Sequence, residues 1–139
     1  MVRCLVFNPR AQTTTAPAVV DIDDFHAFLE EHNPGCTFIG CATRYFNGVP
    51  HDIWHDDEFL FHGGLPSGYA TDYDEVFLGC TLICNVDEET GESTDLSDED
   101  IDNILFHCTN FVKVEGRNAP LCVFECSVFG PEDEEEEEE

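Results

Sequence analysis

A single lysine stands against 31 acidic residues in this sequence, and that imbalance constrains the fold more than any motif does. With four arginines the bases total 5, for a formal net charge of −26. Every residue after Pro131 is an acid, yet the tail does not account for the imbalance. Without it, residues 1–131 keep 23 acids against 5 bases, a net of −18. Carboxylates without cationic partners must stay in water, so the body has to fold with its acids outward and its apolar residues gathered inside. Hydrophobic residues make up 42% of the chain, with 12 Phe, which is enough for a core and argues against full-length disorder. The expectation is one domain over residues 1–130, followed by an unstructured poly-acidic tail over 131–139, where like charges oppose compaction.

The same imbalance restricts partners. A surface of this sign repels phosphate backbones and anionic membranes, and direct nucleic-acid binding needs the Lys and Arg that are missing here. Basic proteins and cations are the natural partners. No stretch approaches the roughly 20 apolar residues of a membrane span, and "MVRCLVFNP" lacks the apolar run of a secretory leader. A cytoplasmic location is therefore expected. The 8 cysteines mostly sit among apolar residues, as in "RCLVF", "GCTLICNV" and "LCVFECSVF", and read as small buried hydrophobes in a reducing compartment. Disulfides or metal remain the alternatives.

Punctuation along the chain predicts an α+β fold, a mostly antiparallel sheet with two helices. "RCLVFNP" reads as a strand, and "TTTAPAVV" as a loop or edge strand. "DIDDFHAFLEEHNPG" reads as a helix capped by Asp21 with Asp24 as reciprocal partner, an apolar stripe at Phe25, Phe28 and Leu29, and a stop at Asn33-Pro34-Gly35. "CTFIGCATRYF" is a strand ending at an Asn47-Gly48 turn. Residues 47–75 read as irregular, with one short strand at "EFLFH". "VFLGCTLICNV" is apolar on both faces and reads as one central strand, followed by the polar loop "DEETGEST". In "DLSDEDIDNILFHCTNF", Ser97 is the N-cap of a second helix, acids fill the first turn, and Ile101, Ile104, Leu105 and Cys108 form the buried stripe. "FVKVEGRNAPLCVFECSVF" reads as two strands joined around Gly116.

Reactive chemistry finds little support. His51 and His55 would share a helical face and could hold zinc there, but the segment does not read as helical. On a strand, side chains four apart are about 13 Å apart, too far for one ion. Cys80 and Cys84, and Cys122 and Cys126, fail for the same reason, and no CxxC occurs. "FHGGLPSGY" has no Lys to balance phosphate. No nucleophile elbow or papain-like context surrounds any cysteine or histidine. No catalytic residue, cofactor or metal is therefore assigned. Trp54, Tyr69 and Tyr73 lie among acids, a mixture that takes up arginine by ion pairing and stacking if the rings face outward. Inward-turned rings beside solvated acids are the competing arrangement.

The stretch from residue 47 to 105 carries a resemblance. "NGVP", the apolar run from Gly79 to Ile83, and the helix start from Leu96 to Glu99 fall in order behind an N-terminal "VRCLVFNP". In this they resemble a family of small phage and mobile-element proteins, domain of unknown function 3846. The motifs are short and structural, and "HDIWHDDE" departs from the pattern. The resemblance implies a genomic setting rather than a reaction.

Charge and resemblance together point to a non-enzymatic interaction protein whose carboxylates imitate a nucleic-acid polyanion and occupy a basic groove of a nucleic-acid-binding protein of host-defence type. The residues expected to meet that partner are Asp56, Asp57 and Glu58; Asp72, Asp74 and Glu75; Asp87, Glu88 and Glu89; and Asp98, Glu99, Asp100 and Asp102. Two alternatives stay open. One is a protein adapted to multimolar salt, in which no single acid has a role. The other is a small metal protein or enzyme using His51, His55 or the cysteines.

Overall fold

The structure, a computed structural model, describes residues 1–9, 17–58, 65–73, 75–109, 112–114, 116–119 and 122–130. Within them the fold is α+β, with two helices and mostly antiparallel strands. The largest sheet runs in the order β2 (Ala18–Ile22), β1 (Val2–Phe7), β7 (Thr81–Val86), β4 (Val49–Asp56), β3 (Ile39–Phe46), with β8 (Ser93–Thr94) also paired to β7. All of its pairings are antiparallel. A second sheet runs β6 (Glu75–Leu78), β5 (Pro66–Ala70), β12 (Val123–Cys126), β9 (Cys108–Thr109), and its β5–β12 pairing is parallel. β10 (Val112–Val114) and β11 (Arg117–Ala119) form a separate hairpin.

Two apolar cores lie on opposite faces of the large sheet. On one face Leu5, Phe7, Ile53 and Ile83 meet Ala70, Phe77 and Phe124 of the second sheet, together with Ile101 and Ile104 of α2 (Asp98–Phe106). Phe124 is the hub of this core, edge-on to Phe7 at 5.1 Å and tilted against Phe46 and Phe77. On the other face Cys4, Val6, Leu82 and Cys84 pack under Leu29, Phe25 and Phe28 of α1 (Phe25–His32). Cys4, Cys36, Cys80, Cys84 and Cys126 are buried, whereas Cys41 is exposed and Cys108 and Cys122 are half-buried. Burial alone pushes the Cys80 thiol up to about 12. A backbone bridge joins the two sheets, with Tyr45 and Ser127 each donating an N–H to the other's carbonyl at 2.9 Å.

Several expectations change. Asp24, not Asp21, caps α1, its carboxylate accepting from the Ala27 N–H at 3.0 Å, because Asp21 is still paired in β2. Residues 49–56 are a full strand rather than irregular, and the Asn47-Gly48 turn that launches it has both residues at positive φ, 55° and 81°. "VFLGCTLICNV" is two strands, not one. Gly79, at φ 80°, turns the chain from β6 in the second sheet to β7 at the centre of the first. Leu105 points outward and Cys108 lies in β9, so the buried stripe of α2 is Ile101 and Ile104. The C-terminal part holds three strands rather than two. The "EFLFH" strand, apart from Glu58, and the tail lie outside the described residues.

Candidate functional site

The nominated acids divide once their surroundings are known. Asp56 is 2% exposed and accepts the Glu58 N–H at 2.9 Å, so it cannot present its charge to a partner; this corrects its assignment to the surface. It fails because β4 turns it inward, whereas Asp57 beside it is exposed and Glu58 half-buried. Asp72 accepts from the backbone N–H groups of Val128 and Phe129, tying the turn after β5 to the chain beyond β12. Glu75 grips Arg44 with two hydrogen bonds of 2.8 Å, which hold the guanidinium in its charged form. Asp74 lies outside the described residues.

The remaining acids form one run. From Asp87 to Asp102 the chain carries nine acids and no base, and all but Asp100 are exposed. Asp87 accepts from the Glu89 N–H at 2.9 Å, closing the loop, while Glu88 and Glu89 stand in solvent. Asp98 meets Arg3 at 2.7 Å at the start of α2, an exposed pair that contributes ~1 kcal/mol at most. Asp100 forms the capping box with Ser97 and accepts from Asn85 at 2.7 Å; these bonds hold its carboxyl below the usual range even though partial burial opposes them. Glu99 and Asp102 are exposed. Arg3 and Arg44 are thus both neutralised within the fold, and the run from 87 to 102 stays uncompensated apart from Asp98.

The nominated aromatics are otherwise engaged. Trp54 packs edge-on against Phe25 at 5.4 Å and donates its indole N–H to Ser93. Tyr69 donates to Glu125, and Tyr73 is exposed beside Phe129. His51 and His55 lie on β4, where His51 is fully buried against Phe46. Among the described residues, no three His, Cys, Asp or Glu side chains gather closely enough to hold a metal ion.

Tyr45 is the residue the sequence did not single out. It forms one wall of a cleft of about 470 Å³ between the β3–β4 turn and the 87–92 loop, together with Thr43, Pro50, Val86, Asp87 and Glu88. Strand register explains the gathering. Tyr45 pairs with Pro50 and Thr43 with Asp52, so these side chains share the face that α1 covers further along. A Tyr in "CATRYF" looks like any strand aromatic; only the turn of "NGVP" beside "DEETG" exposes its role. No helix among the described residues is long and apolar enough to cross a membrane. Compared with family models, curated proteins and solved structures, the chain matches none.

Proposed function

We propose that this is a non-enzymatic, polyanion-like interaction protein that binds a basic, nucleic-acid-binding protein in the groove where nucleic acid would lie. The observation that carries the reading is the run of nine acids from Asp87 to Asp102, eight of them exposed, continuous through a loop, a short strand and the first turns of α2, with no base inside it. Duplex DNA presents one charge per roughly 1.7 Å of its axis, and carboxylates set this densely on a rigid support act on the same basic groove. Attraction of this kind raises association rates and weakens as salt rises. A cytoplasmic setting in a phage or mobile element, with host-defence proteins as targets, belongs to the same proposal.

One observation favours a second reading, adaptation to high salt. Exposed acids also occur at Asp21, Asp23, Glu30 and Glu31, on the β2–α1 side of the molecule. The deciding experiment is displacement of duplex DNA from a basic DNA-binding protein. Under the first reading the protein is folded at about 0.15 M salt, releases DNA there, and loses this ability as ionic strength climbs. Replacing Glu88, Glu89, Glu99 and Asp102 by their amides weakens the release without unfolding the chain. Folding only in molar KCl, or no release at any salt, would end the first reading.

A further inference from the structure

We propose that the cleft between the β3–β4 turn and the 87–92 loop receives an arginine side chain of the basic partner. This rests on the reading above and narrows it from a charged surface to one recess. The recess exists because α1 covers only part of its face of the sheet. Phe25 closes over Trp54, but the rows Thr43–Asp52–Cys84 and Tyr45–Pro50 lie further along, and Thr43, Tyr45, Pro50 and Val86 line open space instead.

Charge selects a cation. Asp87 and Glu88 stand at the lip, and among the described residues no base lines the cleft. Behind this wall Asp52, paired with Thr43 across β3 and β4 and only 3% exposed, accepts the Thr43 hydroxyl at 2.9 Å and so orients that side of the cleft. Asp87 is already in position, since the Glu89 and Thr90 N–H groups fix one of its oxygens at 2.9 and 3.4 Å. That rigidity removes part of the ordering cost of binding.

Shape selects arginine among cations. The Tyr45 ring, Pro50 and Val86 give an apolar wall for an aliphatic stem and an aromatic plane for a guanidinium, whose fork also suits carboxylates. Lysine offers neither the plane nor the fork. A bare metal ion fits less well, because among the described residues no three His, Cys, Asp or Glu side chains gather at ligand distances. A phosphate-bearing ligand is repelled. The volume of about 470 Å³ accommodates an arginine side chain with part of its backbone, within the range of small-molecule sites.

The test uses the full chain, hexaarginine and hexalysine, with amide chemical shifts as the readout. Hexaarginine is expected to bind more tightly than hexalysine and to move the amides of residues 43–50 and 86–91 first. The pair Asp87→Asn with Glu88→Gln keeps the loop's acceptors and removes its charge, and should weaken hexaarginine about tenfold. Tyr45→Leu should remove the preference for arginine over lysine. Shifts spread evenly over all acidic segments, or hexaarginine binding unchanged in the double variant, would overturn the assignment. DNA displacement that survives in the double variant would sink the cleft while sparing the wider function. Local hexaarginine binding without DNA displacement would do the reverse.

Discussion

His51 is 0% exposed, and neither ring nitrogen has a hydrogen-bond partner among the described residues. Burial, the largest influence, lowers its pKa, against the pull of Asp100, Asn85 and Asp52. Arg44 lies opposite it on β3 but is engaged by Glu75. The unfolded histidine takes up a proton near pH 6.5, whereas the folded one resists it to lower pH. Its contribution to stability is therefore complete above about pH 6.5 and is lost as pH falls through the lowered folded value. Because acid also relieves repulsion among the carboxylates, His51→Phe is the proper reference. We expect the variant to be more stable at pH 7 by about 1 kcal/mol, since it removes two unpaired nitrogens, and to lose less stability between about pH 6.5 and 5. Urea midpoints across that range measure both, and a steeper acid loss in the variant would refute the assignment. The His51–His55 spacing was visible in the sequence; that β4 buries one of the pair in a phenylalanine-lined core was not.

At the scale of elements, Asn33 latches α1 to the start of β7. Its side chain accepts the Cys80 N–H at 2.8 Å and donates to the Cys80 carbonyl at 3.1 Å. Gly79 makes this possible twice over, since its φ is 80° and a Cβ there would lie 2.6 Å from the Asn33 Oδ1. Gly79→Ala should cost about 3 kcal/mol, from the left-handed backbone and the displaced amide together, and thermal or urea unfolding reads it directly. A loss near zero would show that the latch is dispensable. Local chemistry made much of this level legible. Ser97 with the acids of its first turn announced α2, Asn47-Gly48 announced the turn that ends β3, and Asn33-Pro34-Gly35 ended α1, whereas the strand after that turn went unread. The break at Gly79 escaped because apolar runs either side of it look alike, although they serve different sheets.

Across the whole molecule 31 acids stand against 5 bases, and the net charge of −26 repels itself. Gly130 packs closely against Tyr45 in the cleft wall, since a Cβ on it would come 2.5 Å from the ring. Deleting residues 131–139 should slow association with a basic partner at low salt, by several-fold in on-rate, while leaving the unfolding midpoint within about 0.5 kcal/mol. Stopped-flow mixing and urea titration check the two halves, and a collapsed fold in the truncated chain would contradict the boundary. By itself the sequence determined the acidic excess, the α+β class and the start of α2, because charge, alternation and caps act over a few residues. Tertiary structure alone decided which acids remain exposed, which turn inward like Asp56, and which meet Tyr45 in one recess, because the fold brings together residues 43, 50 and 87 that no local rule connects.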